Sequence, residues 1–355
     1  MQKRNIRVIK PFTIGIGVLT AFTVGFIFSS LGCKKATQSS QDPRGKIVIY
    51  TSMYEDIITA IDTALEQEFP NCMIEFVYGG TGTIQAKVTA EQKTGKLGCD
   101  MLMVAEPSYS LELKEHHLLY PYLSKQVAHL DFKSDPEGYW VPVRISNMVL
   151  AYNPEYTDRA SIPATFYDFA FNENLRGLIS MTNPLTSGTA LAAVTALRDV
   201  YGYQYFEALG RQQVTVEASS TALAKLEAGE YQAIMVLEES VLKKQEEEGS
   251  KVEVIYPQDG TIIVPSTIMT INETWSANHN IAAAEAITDW FLSEEGQANI
   301  VAGWMHSVRQ NFPTLPYHAL PTSQIKAVSM PVDWVTCYRY REEIRTQFTQ
   351  ALKGE

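Results

Sequence analysis

The sequence predicts an α/β protein with two lobes, each built on a doubly wound sheet, joined by two crossing strands into a clamshell. Three observations lead to this fold class. From residue 46 onwards, short apolar stretches alternate with segments of helical periodicity, a pattern typical of buried parallel strands between helices. Two longer extended stretches, at 139–154 and 252–271, interrupt the alternation. The chain has 355 residues, more than one typical core needs, which favours two lobes.

The first alternation predicts the strands and helices of lobe 1. The apolar stretches KIVIYTS, CMIEFVYGG and DMLMVAEP each have the length of one strand, and helical spacing of apolar residues separates them. We assign residues 46–143 and 264–315 to lobe 1.

The two extended stretches predict the connections between the lobes. The first contains Pro142 and ends in Asn-Pro, and we interpret it as the strand that leaves lobe 1. A second α/β alternation follows, and we assign residues 144–263 to lobe 2. The stretch at 252–271 is the expected return crossing, and residues 316–355 are expected to form a C-terminal helical segment. Ligands of open α/β sheets bind beyond the carboxyl ends of the strands, so we expect a ligand in the cleft and closure by a hinge.

The first 33 residues predict an export signal rather than part of the fold. A basic start precedes an apolar run that ends at Cys33. The sequence SSLGC at this point resembles a bacterial lipobox, so we expect lipidation of Cys33, with residues 34–45 as a polar tether. An uncleaved membrane anchor is the alternative. Both interpretations place the folded part outside the cytoplasm, held at a membrane.

Charge and cysteine content exclude several classes of protein. The net charge of −11 provides no basic surface for nucleic acid, and 45% apolar with 19% charged residues is typical of a soluble globular protein. Apart from Cys33, the chain has Cys72, Cys99 and Cys337, so at least one thiol is free. No Cys/His spacing indicates a metal site. We expect these cysteines to be small residues of the core, with a Cys72–Cys99 disulfide as the alternative.

Three predicted helices begin with glycine and hydroxyl residues and have no acid in the first turn. A helix N-terminus carries partial positive charge and exposed N–H groups, which bind phosphate-like oxygens. The candidate anion-binding residues at these starts are Thr81, Gly82, Thr83, Ser187, Gly188, Thr189, Ser219 and Ser220. Ordinary N-capping by Ser or Thr explains any one of these starts. Three starts on two lobes favour a ligand.

Charged residues near the crossings add to this candidate site. Arg144, on the first crossing, is a candidate for bidentate contact with an anion, with a structural ion pair at the hinge as the alternative. Glu238 and Glu239 would repel phosphate, so we expect them to face an amine, a sugar hydroxyl, or away from the cleft. An aminophosphonate or a phosphorylated sugar would use both charges.

Seven segments within residues 46–315 resemble, in order and spacing, the extracytoplasmic solute-binding proteins of ABC importers. The branch in question holds ferric-ion, phosphonate and sugar-phosphate binders. The segments are IVIYTSMYED, GGTGTIQAKVTAEQ, CDMLMVAEP, NPLTSGTA, LEAGEYQAIMV, IIVPSTIMTI and LSEEGQANIVAGWMHSVR. The resemblance implies a periplasmic-binding-protein-like clamshell that acts as a monomer without a cofactor and docks on an ABC permease in the inner membrane. It also implies that the SGT position holds a phosphate group, or the anion that accompanies iron.

Ferric iron is the alternative cargo that the same resemblance implies. Ferric-binding relatives carry a His or Tyr after the first strand, a carboxylate after the third, and a tyrosine pair after an LxxGExDA motif. Tyr54 falls in the first position and Glu106 near the second, but Glu238 and Glu239 replace the tyrosine pair. Tyr54, Glu106 and Glu239 are therefore the candidate metal-binding residues, since oxygen donors suit ferric iron. The missing phenolate pair makes an anionic solute the preferred prediction.

Two other function classes remain as alternatives. A secreted hydrolase is disfavoured because the sequence has no GxSxG, no HExxH and no Ser/His/Asp set at plausible spacing. A lipid-anchored adhesin or sensor without small-molecule cargo is the other. We expect a lipid-anchored binding protein, not an enzyme, that captures a small anionic solute by hinge closure.

Overall fold

The computed structural model of the protein describes residues 43–354. The predicted export signal, Cys33 and the tether residues 34–42 lie outside this range. Within it, every helix is too short or too polar to cross a membrane.

Strands and helices alternate along most of the described chain. The strands are β1 (Gly45–Thr51), β2 (Cys72–Tyr78), β3 (Met101–Ala105), β4 (Leu119–Tyr120), β5 (Val141–Tyr152), β6 (Ile179–Thr182), β7 (Thr215–Glu217), β8 (Ala233–Leu237), β9 (Glu253–Ile255) and β10 (Ile262–Ile271). The helices are α1 (Glu55–Glu68), α2 (Thr81–Gln92), α3 (Ser108–Glu115), α4 (Phe166–Phe171), α5 (Gly188–Tyr201), α6 (Gln204–Arg211), α7 (Ser219–Glu227), α8 (Glu238–Glu248), α9 (Ile281–Leu292), α10 (Glu294–Ala302), α11 (Thr322–Val328), α12 (Trp334–Arg339) and α13 (Arg341–Lys353).

One curled sheet joins two halves of the molecule. Its strand order is β2-β1-β3-β10-β5-β8-β6-β7, with β4 beside β10 and β9 beside β5. β1 pairs in parallel with β2 and β3, and β6 pairs in parallel with β7 and β8. The long strands β5 and β10 are antiparallel to each other and connect these parallel sets. We call the half with β1–β3, α1–α3, α9 and α10 lobe 1, and the half with β6–β8 and α4–α8 lobe 2.

Strand periodicity explains how lobe 1 builds a core on both faces of its sheet. Ile47 and Ile49 of β1 pack into one apolar cluster, and the intervening Val48 and Tyr50 pack into another. Successive side chains of a strand point to opposite faces, so a continuous apolar run is needed where both faces are covered. For the same reason all twelve residues of β5 are buried.

The predicted return crossing at 252–271 consists of two strands instead of one. β9 ends at Ile255 and pairs with β5, and β10 begins only at Ile262. Between them the Gly260 N–H donates to the Pro257 carbonyl at 3.1 Å, and Gly260 has φ of 114°. A conformation with positive φ suits glycine and ends a strand, which is why the run breaks here.

The C-terminal segment, α11–α13, completes the core of lobe 2. From Met330 onwards its buried apolar residues share one cluster with α5 and α6, and they are Met330, Cys337, Ile344, Phe348 and Ala351, whereas Ile325 of α11 packs into a cluster of lobe 1. The rings of Phe206 and Phe348 pack edge to face with centroids 5.2 Å apart. The segment also reaches lobe 1, where Arg339 Nη2 lies 2.8 Å from Glu115 Oε2 of α3.

The three described cysteines, Cys72, Cys99 and Cys337, are free thiols. Cys99 and Cys337 are buried and Cys72 is partly buried, so the alternative of a Cys72–Cys99 disulfide is not realised.

Replacing Phe348 should reveal how much lobe 2 depends on the C-terminal segment. Phe348 is 2% exposed, so Phe348→Ala leaves a cavity and should lower the free energy of unfolding by about 3 kcal/mol. Urea denaturation measures this, with Val335→Ala as the control because Val335 is 58% exposed. Equal losses in the two variants would show that the segment is not part of the core.

Candidate functional site

A cavity of about 290 Å³ lies between the lobes, at the carboxyl ends of their parallel strands. Ligands of open α/β sheets bind at this edge. Most of the predicted site residues line the cavity, namely Tyr54, Thr81, Thr83, Arg144, Ser187, Gly188, Thr189, Ser219 and Glu239. The structure thus brings together predicted residues from both lobes and from one crossing strand. Gly82, Ser220 and Glu106 lie outside the lining.

Three helices begin at the cavity without an acidic residue in the first turn. They are α2, α5 and α7, which start at Thr81, Gly188 and Ser219. By contrast, α1 and α8 also start beside the cavity but carry acids in their first turns. The macrodipole leaves partial positive charge at each helix N-terminus, so three such ends meet here without a counter-charge of their own.

Only one of the three helix starts uses its hydroxyl residue as a cap. Ser187 Oγ accepts from the Ala190 N–H at 3.3 Å and lies 3.0 Å from Thr189 Oγ1. The N-cap residues of α2 and α7 are Gly80 and Ala218, and neither makes a side-chain cap hydrogen bond. Ordinary capping therefore explains the hydroxyl at α5 but not those at α2 and α7.

The glycines at the start of α2 serve the contact between the lobes. The Gly82 N–H donates to the Thr186 carbonyl of lobe 2 at 3.1 Å. A Cβ at Gly80 would lie 3.1 Å from Thr186 O, and one at Gly82 would lie 3.0 Å from Leu185 O. The Gly82 N–H was predicted to bind a ligand, but the structure gives it a protein acceptor in the opposite lobe.

Gly188, at the start of α5, has the same close contact with lobe 1. A Cβ there would lie 2.9 Å from both Glu106 Cγ and Thr81 Oγ1. Because real Cβ atoms do not approach other atoms so closely, only glycine fits between the lobes at this position.

Glu106 is buried beside the cavity and its carboxylate is used elsewhere. The residue is fully buried and has φ of 71°. Its Oε2 accepts from the Ser108 N–H at 2.8 Å, and its Oε1 accepts from Gln85 Nε2 at 3.4 Å and lies 4.0 Å from Arg341 Nη2. Burial raises the pKa of Glu106 to about 7, against the opposing charge of Arg341. The structure therefore does not bring Glu106 together with the other two candidate metal ligands.

Arg144 is a buried cation with weak partners. It is 3% exposed and lines the cavity. Its Nη1 lies 2.9 Å from the thioether of Met305, a weak acceptor, and its Nε has no hydrogen-bond partner among residues 43–354. Burial lowers the pKa of Arg144, and attraction to Glu239 opposes this. A buried guanidinium without a strong hydrogen-bond partner is costly, and Glu239 is the nearby charge that offsets it.

Glu239 and Tyr54 lie together on the cavity wall. Glu239 Oε1 accepts from Ser146 Oγ at 2.7 Å, and Tyr54 Oη lies 3.1 Å from Ser240 Oγ. Burial raises the pKa of Glu239, and the Arg144 charge opposes the rise. Burial also raises the pKa of Tyr54, and the negative charge of Glu239 adds to it. The phenol is therefore held in its neutral form.

Glu238 faces away from the cavity, as one of the sequence alternatives allowed. It is 1% exposed, and its Oε2 accepts from Asn147 Nδ2 at 3.1 Å and lies 2.9 Å from His306 Nε2. The Tyr256 hydroxyl donates to its other oxygen. This carboxylate is satisfied inside the protein and does not oppose an anion in the cavity.

Several polar lining residues were missed by the sequence analysis. They are Ser52, Tyr78, Ser146, Thr182 and Thr186. Ser52, Tyr78 and Thr182 stand at or just after the carboxyl ends of strands, where ligands bind, so the strand ends were an available signal. Ser146 is two positions from Arg144 on β5, and residues two apart share a face of a strand.

Among the described residues, no group of three or more His, Cys, Asp and Glu side chains could hold a metal ion. The candidate metal donors that line the cavity are Tyr54 and Glu239.

The pH dependence of stability should report the buried carboxyl of Glu106. Its folded-state pKa of about 7 exceeds the ordinary 4.5, so the folded state binds more protons between these values. Its contribution to the free energy of unfolding is therefore full below pH 4.5 and falls by about 3 kcal/mol as the pH rises through 7. Urea denaturation at pH 5 and pH 8 should show a smaller difference for Glu106→Gln than for the wild type. Exposed Glu230→Gln is the control, and an unchanged pH difference in Glu106→Gln would contradict the assignment.

Known structures share this two-lobed fold. AfuA from Actinobacillus pleuropneumoniae, solved with exogenous fructose-6-phosphate bound, is 20% identical with a TM-score of 0.75, over 87% of this chain and 99% of that one. Iron-bound HitA from Pseudomonas aeruginosa is 19% identical with a TM-score of 0.73, over 86% and 99%. The substrate binding protein of an ABC transporter from Agrobacterium tumefaciens is 18% identical with a TM-score of 0.75, over 87% and 94%. These likenesses confirm the predicted clamshell and leave the solute open.

The family assignment comes from the sequence itself. A comparison with curated protein sequences found no match. Residues 99–336, more than half of the chain, match the family described as bacterial extracellular solute-binding protein. The match agrees with the cavity between two lobes and with the resemblance found along the sequence. The chain belongs to the bacterial extracellular solute-binding proteins.

Proposed function

We propose that this extracytoplasmic protein is the substrate-binding component of an ABC importer and captures a small anionic solute of phosphonate or sugar-phosphate type. One observation carries the proposal: three helix N-termini without first-turn acids converge with buried Arg144 on a single cavity. Backbone N–H groups at helix starts and a guanidinium are the groups that bind phosphoryl oxygens in proteins.

Each polar group at the positive end of the cavity has a role in this proposal. The hydroxyls of Thr81, Thr83, Ser187, Thr189 and Ser219 donate to the phosphoryl oxygens, together with first-turn N–H groups of the helices other than those of Gly82 and Ala190, which have acceptors in the protein. Arg144 supplies the full positive charge. Gly82 and Ser220 stand in the same first turns and contribute through the helix start rather than by lining the cavity.

Glu239 recognises the other end of the solute. Its carboxylate lines the same cavity as Arg144 and accepts a hydrogen bond from Ser146. A sugar hydroxyl or an ammonium group would donate to it, whereas inorganic phosphate would be repelled. The volume of about 290 Å³ lies near the lower end of ligand cavities, about 300–1,000 Å³, and suits a small solute.

Capture is a hinge movement with no chemistry on the solute. The lobes comprise residues 46–143 with 264–315 and residues 144–263, and they move about the crossing strands β5 and β10. The closed protein then docks on its permease in the inner membrane. A lipid on Cys33, which lies outside the described residues, would hold the protein at the membrane through its tether.

Ferric iron is the second candidate, because two oxygen donors, Tyr54 and Glu239, line the cavity. The third candidate donor, Glu106, has other partners, and the raised pKa of Tyr54 opposes the phenolate that iron requires. The neighbouring Arg144 charge also repels a cation. These three features place iron second.

Native mass spectrometry of the purified protein, with phosphorus and iron assayed on the same sample, tests the two candidates together. We expect about one phosphorus-containing solute for each chain after growth in rich medium. One iron for each chain without phosphorus would support the alternative. An empty protein that also binds neither glucose 6-phosphate nor 2-aminoethylphosphonate would overturn the proposal.

Placing a negative charge at the start of α5 should abolish binding of the phosphoryl group. Ser187→Asp keeps a good N-cap but opposes the anion, and we expect the affinity for glucose 6-phosphate or 2-aminoethylphosphonate to fall at least about a hundredfold. The matched control is Ser293→Asp, because Ser293 caps α10 by accepting from the Gly296 N–H and does not line the cavity. Titration calorimetry measures both variants, and undiminished binding by Ser187→Asp would contradict this site.

Neutralising Glu239 should change the affinity differently for solutes with and without an ammonium group. Glu239→Gln should weaken binding of 2-aminoethylphosphonate about tenfold, because its ammonium loses a charged acceptor. The same variant should bind inorganic phosphate more tightly, because a repulsive charge has gone. Calorimetry with both probes makes the comparison. Equal changes for the two probes would show that Glu239 does not face the solute.

A further inference from the structure

The two lobes meet at a contact that we call the interlobe seam. It consists of Gly80 and Gly82 at the start of α2 in lobe 1 and of Leu185 and Thr186 before α5 in lobe 2. The Gly82 N–H donates to the Thr186 carbonyl at 3.1 Å, a backbone hydrogen bond from one lobe to the other. Gly80 and Thr186 also line the cavity, so the seam forms part of its wall.

Helix propensity does not explain the glycine at position 82. Gly82 lies inside α2 and has an ordinary helical conformation, without the positive φ that favours glycine. Glycine is a poorer helix former than alanine because it loses more backbone freedom on folding. The α2 helix would therefore be more stable with alanine at this position.

The opposite lobe supplies the reason for this glycine. A Cβ at Gly82 would lie 3.0 Å from Leu185 O and 3.2 Å from both Cα and O of Thr186. These neighbours are backbone atoms, which cannot turn aside as a flexible side chain would. Gly79, three residues earlier, has space instead: a Cβ there would meet only side-chain atoms of its own lobe, the nearest at 3.5 Å.

We propose that Gly82 is a positioning residue for cleft closure. Its missing side chain lets the start of α2 reach Thr186, and the resulting hydrogen bond holds the lobes together and retains the solute. Both partners of this hydrogen bond belong to the protein, so we expect the seam to form without a bridging solute. The consequence for solute retention rests on the proposed function, whereas the seam itself does not.

Gly82→Ala and Gly79→Ala are the matched pair of variants that test this assignment. Both add one methyl group to the same glycine-rich stretch, but only the first places it against the opposite lobe. Gly82→Ala should keep or raise the thermal stability, because alanine favours the helix. It should also increase the dissociation rate of bound 2-aminoethylphosphonate or glucose 6-phosphate about tenfold, with the association rate within about twofold. Gly79→Ala should leave both rates unchanged.

Hydrogen exchange of the full chain in detergent, without added solute, tests the seam independently of any ligand. Peptides overlapping at residues 80–84 should show a protected amide at position 82 in the wild type and in Gly79→Ala. That protection should be lost in Gly82→Ala. An unprotected amide in the wild type, or protection that survives in Gly82→Ala, would overturn the seam.

The two measurements separate the failure of the seam from the failure of the proposed function. If neither phosphorylated probe binds the wild type, the function fails, and the exchange pattern still decides the seam. If the probes bind with equal dissociation rates in wild type and Gly82→Ala, the function stands and the role of Gly82 is refuted.

Discussion

The concentration of positive charge at the meeting point of the two lobes is the constraint on which this structure depends. The long strands β5 and β10 belong to both halves of the sheet, so the carboxyl ends of the two parallel sets face one cavity. Three helix starts and Arg144 then deliver positive charge to the same place. Burying such charge without a partner is unfavourable. Under the proposed function, an anionic solute would supply further negative charge to this place.

The acidic residues near this cavity differ in their partners. Glu238 is satisfied by Asn147, His306 and Tyr256, and Glu106 by Ser108 and Gln85. Among residues 43–354, Glu239 is the one that presents a carboxylate to the cavity wall. With the Arg144 cation and the Glu239 carboxylate in one small cavity, a solute with two different polar ends would bind better than a simple oxyanion. The same contrast weighs against a metal ion, which would prefer several carboxylates and no guanidinium.

Local patterns were sufficient to predict most of the fold and the helix starts at the site. The apolar runs of β1, β3 and β8 are buried on both faces, and α5 begins where its Ser-Gly-Thr sequence indicated. Contacts between segments far apart in the sequence could not be predicted from such local patterns. The backbone of Glu106 turns through positive φ and its carboxylate bonds to Ser108 and Gln85, and the Gly82 N–H finds its acceptor about a hundred residues away. The turn at Gly260 likewise divides the stretch 252–271, which the sequence analysis interpreted as one crossing, into β9 and β10.

The C-terminal segment has a consequence for how the chain matures. Phe348 and its neighbours fill the core formed by α5 and α6, so the interior of lobe 2 is built from segments far apart in the sequence. Folding of lobe 2 therefore depends on contacts of long sequence separation, whose loop-closure entropy makes them slow to form.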